Sequence, residues 1–231
     1  MTTTGLHRPA PGSAPPPAAA TIRVRAAAGW RLARLYLVSR RVPMALALLA
    51  ALGALLWCAL HWHWNVAGGA AAKEFIPLTI ETGAAALVAV TTYGPFGESE
   101  QAAGRWLPWL RFGAAVGLTA VAFGALATGA AAGGMPGGTP ALLRNFGGMV
   151  GVGLLAAVIV GGAFSWAGPM AYLLITEGAL AHRSTTPWVW PTRPPHDRGG
   201  VICACLVIAA GLVLITVRGP RESTPESGPA S

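Results

Sequence analysis

Long apolar runs recur along this chain, and they constrain its fold more than any other feature. Four or more of them approach 18 residues, about the length at which an apolar helix crosses the roughly 30 Å hydrocarbon core of a bilayer. Charged residues make up only 10% of the chain, against about 25% in ordinary soluble domains. The sequence therefore predicts an all-α, polytopic membrane protein.

The longest apolar stretch, Ala141–Leu180, has about 40 residues and is too long for one transmembrane helix, for which about 20 suffice. We expect two antiparallel spans joined by a tight turn at Phe164–Pro169 (FSWAGP), which faces the cytoplasm. The six predicted spans are Pro43–Leu60, Phe75–Tyr93, Pro108–Ala132, Leu142–Ala163, Ser165–Leu180 and Gly199–Val217. Five spans remain an alternative, but Arg218 and Arg221 close the last run and favour six.

The segments that flank this region differ from it in composition. Residues 1–24 and 219–231 are rich in Pro and small polar residues and are predicted to be disordered, which leaves residues 25–218 as the six-helix transmembrane domain. Within it, residues 29–41 (GWRLARLYLVSRR) are basic and amphipathic. We interpret them as a helix lying on the anionic cytoplasmic surface of the membrane. The alternative is ordinary positive flanking of the first span.

The distribution of basic residues predicts the orientation. From Arg23 onwards they divide ten to five in favour of the side that carries both termini, and positive charge is enriched in the cytoplasm. Both termini are therefore predicted to be cytoplasmic. Arg outnumbers Lys fifteen to one, a usage typical of high-GC bacteria such as actinobacteria, so we expect a bacterial plasma membrane. The net charge of +8 does not indicate nucleic-acid binding, because the arginines flank apolar runs.

Glu81 is the most informative polar residue within the predicted spans. A carboxylate in a span is costly and usually faces protein or water. Glu81 is therefore either a pathway residue or a structural residue near the headgroups, hydrogen-bonded to a neighbouring helix. Arg144, Asn145 and Glu177 are the other pathway or packing candidates. Arg144 and Glu177 fall at the outer ends of the fourth and fifth spans, where they are close enough to pair.

Small residues repeat along one face of the third predicted span. They are Gly113, Gly117, Ala120, Gly124 and Thr128. Small residues allow two helices to approach closely. We therefore predict that this face packs against another helix.

The motifs of several enzyme and metal-site classes are missing from the sequence. It contains no G-x-x-x-x-G-K-[ST] phosphate loop, no HExxH and no GxSxG, and its scattered acidic residues offer no general acid–base pair. We expect no enzyme activity and no cofactor. The spacing of His61 and His63 suits copper or zinc, but further candidate ligands, His182 and His196, lie far along the chain. No metal site is predicted.

The order of these features resembles a family of transporters. An amphipathic N-terminal helix, six spans, a short polar loop after the second span and a tight pair of spans are together similar to the permease subunits of type-2 ATP-binding-cassette exporters, in their short actinobacterial form. Arg144–Tyr172 (RNFGGMVGVGLLAAVIVGGAFSWAGPMAY) resembles the segment in which an Asn and glycines open one span and a Trp and Pro lead into the next. The resemblance covers about residues 25–218.

The resemblance implies a function and partners. Two permease subunits, identical or different, form a pathway through the lipid for a lipophilic or amphipathic small molecule, and a separate ATP-binding subunit drives it. The loop after the second span docks on that subunit, which assigns coupling residues to Glu98, Glu100 and Arg105. One alternative is a non-transporting accessory or scaffold protein, since the spans contain few polar residues. Another is a proton- or metal-coupled carrier that uses Glu81 and the paired histidines.

Overall fold

The structure is a computed structural model that describes residues 42–62, 70–91, 107–135, 137–182 and 186–220. These residues form six α-helices and two short 3₁₀ helices, and they include no β-strand. The α-helices are α1 (Val42–His61), α2 (Ala70–Thr91), α3 (Leu107–Gly133), α4 (Gly138–Ile159), α5 (Ala167–Ala181) and α6 (Arg198–Arg218). The 3₁₀ helices are Gly162–Phe164 and Trp190–Thr192.

Several predictions fall on the remaining residues. The amphipathic helix at 29–41 and the N-terminal tail at 1–24 lie outside the described residues, as does almost all of the tail at 219–231. The same holds for the coupling residues Glu98, Glu100 and Arg105.

The six helices coincide with the six apolar runs, which confirms the all-α prediction. Four of them are long and apolar enough to cross a bilayer, over Pro43–His61, Arg111–Gly133, Gly138–Ile159 and Arg198–Arg218. The apolar part of α2 is shorter and covers Phe75–Thr91. Helix α5 has only 15 residues, or about 22 Å at 1.5 Å per residue. Length and composition alone therefore support four spans in a membrane protein.

Helices α1 and α3 are parallel neighbours. A Cβ added at Gly53 lies 2.5 Å from the carbonyl oxygen of Ala125, and one added at Gly133 lies 2.5 Å from the Cβ of Leu60. Residue numbers thus increase in the same direction along both helices.

Helix α2 is parallel to α4, since Thr82 contacts Met149 and Ala89 lies near Gly153 further along both helices. Because α4 turns back after α3, α2 runs opposite to α1 and α3.

Helices α4 and α6 are also parallel. Arg144 lies near Gly200 at the start of both helices, and a Cβ added at Gly151 lies 2.6 Å from the backbone nitrogen of Ile208 further along. Helix α5 returns between them after a tight turn through the 3₁₀ helix, where the Ser165 hydroxyl donates to the carbonyl of Gly162 at 2.8 Å. Consecutive helices therefore alternate in direction, and α4 and α5 form the predicted antiparallel pair.

The small-residue face predicted on α3 contacts no other helix among the described residues. Gly113, Gly117 and Gly124 are exposed, and a Cβ added to any of them meets no described atom within 4 Å. Helix α3 instead approaches α1 closely at Gly129, where an added Cβ contacts the carbonyl oxygen of Gly53. Small residues occur on both faces of α3, so the position of the glycine on the partner helix decides which face is used.

Helix α4 is the centre of the bundle. It contacts α2, α3, α5 and α6, and 67% of its apolar stretch is buried, against 33% or less in the other three long apolar helices. Its glycines make this burial possible, since Gly151 lies against α6 and Gly153 against Ala89 of α2 and Pro169 of α5. Side chains on α4 are therefore held inside the bundle, including the polar residues near its N-terminus.

Candidate functional site

A cavity of about 370 Å³ lies at the end of the bundle where α4 and α6 begin. Its lining comes from α2 (Pro77, Leu78, Glu81), the α3–α4 turn (Met135, Gly137), α4 (Ala141, Arg144, Asn145), α5 (Leu180) and the segment before α6 (Pro191, Thr192, Arg193, Pro194, Pro195). The residues contributed by α2 and α4 are buried, whereas Gly137 and Pro194 are exposed. The cavity thus has a buried floor and a rim at the surface of the bundle.

Glu81 lies on the floor of the cavity. Its side chain is 0% exposed, and neither carboxylate oxygen has a hydrogen-bond partner among the described residues. The guanidinium of Arg144 attracts it electrostatically, but the two do not form an ion pair within 4.0 Å. Of the two interpretations drawn from the sequence, the hydrogen bond to a neighbouring helix is absent within the described residues.

Arg144 stands beside Glu81 and is only 5% exposed. Its Nη1 donates to the carbonyl oxygen of Pro194 at 2.6 Å and its Nη2 to that of Arg193 at 3.0 Å, while Nε donates to Oδ1 of Asn145 at 3.2 Å. The side chain therefore ties the start of α4 to the segment before α6, which covers one side of the cavity.

The predicted pair between Arg144 and Glu177 is not formed. Arg144 directs its hydrogen bonds to two successive carbonyls and to its neighbour Asn145. Glu177 is half-buried on α5 and does not line the cavity, although Leu180, one turn later, does. The two residues lie at the same end of the bundle, as predicted, but Arg144 donates its hydrogen bonds to carbonyls of the segment before α6 instead of to Glu177.

The Arg144 contacts lead to a testable expectation for Arg144→Lys. An ammonium donates from one atom and cannot serve two carbonyls and an amide in the planar fork geometry. We expect the unfolding free energy to fall by about 1–3 kcal/mol, since at least one buried carbonyl loses its donor. Thermal unfolding of the detergent-solubilised protein measures this. The exposed Arg198→Lys is the matched control, and equal unfolding temperatures for the two variants would contradict the role given to Arg144.

The segment before α6 is anchored by aromatic contacts as well. Trp190 is buried and stacks on Tyr172 of α5, with ring centroids 4.5 Å apart, and the Tyr172 hydroxyl donates to the carbonyl of Trp188 at 2.8 Å. Gly148 of α4 lies directly under the indole, where an added Cβ would touch the ring. The rim of the cavity is therefore held by α4 and α5 together.

Asp197 forms the other end of this segment and caps α6. Its Oδ2 accepts from the backbone N–H of Gly200 at 2.6 Å, and its carboxylate pairs with Arg193, with Nε to Oδ2 at 2.7 Å and Nη2 to Oδ1 at 2.9 Å. These contacts favour the ionised form. The Gly200 N–H, with the Arg193 guanidinium second, therefore holds the pKa of the Asp197 carboxyl below its usual range.

This lowered pKa gives a pH dependence with a defined sign. An acid whose pKa is lower in the folded state contributes stability above its ordinary pKa, about 4, and loses it as pH falls through the lowered value. We expect the unfolding temperature of the unmodified protein to exceed that of Asp197→Asn at neutral pH, and the difference to shrink below about pH 4. Unfolding scans of both proteins across this range measure it. A difference that grows on acidification would contradict the assignment.

Asn145 and the predicted absence of a metal site remain to be compared with the structure. Asn145 is buried beside Arg144 and lines the cavity with it. Among the described residues no three His, Cys, Asp or Glu side chains are grouped to hold a metal ion, and His61 stacks on Trp57 at 5.2 Å.

The sequence analysis did not identify Trp190 and Arg193 as residues of the site, although the density of Pro and Trp in the segment before α6 signals an ordered loop.

Comparison with known proteins gives no family for this chain. It matches no protein-family model, no curated protein and no solved structure. The cavity floor formed by Glu81 and Arg144 is therefore the observation from which function is argued.

Proposed function

We propose that this chain is the membrane-spanning permease subunit of an ATP-driven exporter, and that it moves a lipophilic or amphipathic small molecule across a bacterial plasma membrane. The transport part of the proposal rests on Glu81. Its carboxylate is fully buried, has no hydrogen-bond partner among the described residues, and lies on the floor of a cavity. Ionisable groups inside apolar bundles are costly and typically mark ligand or ion pathways. A buried carboxylate without a hydrogen-bond partner costs stability, which favours a role in ligand binding over a purely structural one.

Six spans with both termini in the cytoplasm are part of the proposal. The alternating directions of the six helices support this count, because α2 and α5 return across the bundle although the apolar part of α2 and the whole of α5 are short. The arginine distribution supports the orientation. In this orientation the cavity opens at the extracytoplasmic end, and the α4–α5 turn faces the cytoplasm.

The ATP-driven part of the proposal rests on the resemblance of residues 25–218 to type-2 ATP-binding-cassette permeases. The sequence has no phosphate-loop motif, so a separate subunit supplies ATP hydrolysis. In the proposed complex, two permease subunits form the pathway. Glu98, Glu100 and Arg105 lie in the cytoplasmic loop that contacts the ATP-binding subunit.

Co-purification tests this proposal. We expect the tagged chain to retain an ATP-binding protein encoded beside it when both are made in one cell. The double variant Glu98→Lys with Glu100→Lys should lose that partner, because it reverses the charge of the coupling loop. Glu226→Lys, in the tail predicted to share the same compartment, is the matched control and should retain it. Purification of the unmodified chain alone would contradict the exporter proposal and favour an accessory protein.

A further inference from the structure

The cavity floor holds one buried acidic and one buried basic side chain, and each has unused hydrogen-bonding capacity among the described residues. Neither carboxylate oxygen of Glu81 accepts a hydrogen bond from a described residue. Arg144 makes three hydrogen bonds, whereas a guanidinium has five N–H groups, so two have no acceptor in the described part of the chain. A ligand bound at this floor therefore meets hydrogen-bond acceptors on Glu81 and hydrogen-bond donors on Arg144.

Glu81 and Arg144 together disfavour the binding of a ligand that carries a single charge. A simple cation is attracted by Glu81 and repelled by Arg144, and a simple anion meets the reverse. Both interactions are strong because the two side chains are at least nine-tenths buried, where the effective dielectric constant is low. A molecule that carries both an ammonium and an anionic group satisfies both side chains.

A metal ion fits this floor poorly. Hard cations take six or more oxygen ligands, but among the described residues Glu81 is the only carboxylate that lines the cavity. Asn145 Oδ1 already accepts from Arg144, and the Thr192 hydroxyl donates to the carbonyl of Val189 at 2.9 Å. The nearby guanidinium opposes a further cation.

We propose that the cavity binds a small amphipathic zwitterion, with its ammonium on Glu81 and its carboxylate or phosphate on Arg144. The volume of about 370 Å³ falls in the range of small-molecule sites. Apolar lining from Leu78, Met135 and Leu180 accommodates an aliphatic side chain. This inference names the ligand class of the site on which the proposed function rests. The same charge pattern occurs in a free amino acid and in an ethanolamine phospholipid headgroup.

Equilibrium binding to the purified full chain tests the charge requirement. The probes are leucine, 3-methylbutylamine, which lacks its carboxylate, and 4-methylpentanoate, which lacks its ammonium. Glycerophosphoethanolamine represents the lipid headgroup. We expect leucine or glycerophosphoethanolamine to bind, and each single-charge analogue to bind at least about tenfold more weakly, because it leaves one buried charge unpaired. Which zwitterion binds more tightly identifies the source.

Two variants locate the binding. Glu81→Gln removes the acceptor charge while it keeps the side-chain shape, and Ala141→Leu fills the cavity without a change of charge; both should abolish binding. Glu177→Gln, a carboxylate on α5 outside the cavity lining, should bind normally. The inference would be overturned if either single-charge analogue bound as tightly as the zwitterions. It would also be overturned if no probe bound, or if binding survived both variants. The ATP-binding subunit is absent from this assay, so these outcomes are independent of the co-purification result.

Discussion

Gly151→Leu should abolish accumulation of the folded protein. A Cβ at this position lies 2.6 Å from the backbone nitrogen and Cα of Ile208, and backbone atoms cannot move away by a rotamer change. Helix α6 would have to separate from α4, the most buried of the long apolar helices. We expect a loss of more than about 3 kcal/mol, the upper range for overpacking a tight interface. Membrane abundance and size-exclusion elution of a fluorescent fusion measure it.

The matched control for this prediction is Gly117→Leu on α3. Gly117 is exposed, and an added Cβ meets no described atom within 4 Å. The same change of residue type should therefore leave abundance and elution unchanged. If Gly117→Leu were the damaging variant and Gly151→Leu the tolerated one, the close contact assigned to α4 and α6 would be incorrect.

Glu81→Gln should separate function from stability. The variant removes a buried carboxyl group whose oxygens have no hydrogen-bond partner among the described residues and keeps the volume of the side chain. We expect normal abundance and an unfolding temperature equal to or above that of the unmodified protein, since a buried carboxyl group without hydrogen-bond partners costs stability. Transport by the proposed complex should fall by at least about tenfold, because the proposal places this residue in the pathway. Thermal unfolding and an export assay, run in parallel, give the two readouts.

Glu177→Gln is the control for Glu81→Gln, because its carboxylate lies outside the cavity lining. It should change neither stability nor transport. A drop in abundance for Glu81→Gln with normal transport per molecule would assign Glu81 to packing and remove the main support for the proposed function.

Sequence reasoning located the helices well and their contacts poorly. The length of each apolar run fixed the six helices to within a few residues, because a bilayer requires a continuous apolar helix of defined length. The face of α3 that contacts α1 was not predicted, because the lipid-facing and protein-facing sides of such a helix are equally apolar, so periodicity carries little information. Gly129 is used and Gly113 is not, and that choice depends on Gly53 of α1.

The candidate site was found in part. Glu81, Arg144 and Asn145 were singled out as polar residues in apolar runs, and all three line the cavity. The partners of Arg144 were missed because they are backbone carbonyls 49 and 50 residues away along the chain. Every residue has a carbonyl, so side-chain chemistry in the sequence could not identify Arg193 and Pro194 as acceptors.

The central claim is that the Glu81 cavity opens at the outer face of a six-span protein whose termini are cytoplasmic. Cysteine accessibility tests it most directly, in a chain whose Cys58, Cys203 and Cys205 are replaced by alanine. Thr192→Cys at the cavity should react with a membrane-impermeant maleimide in intact spheroplasts, whereas Ser223→Cys in the C-terminal tail should react only after lysis. Reaction of Ser223→Cys in intact spheroplasts, or of Thr192→Cys only after lysis, would contradict the claim.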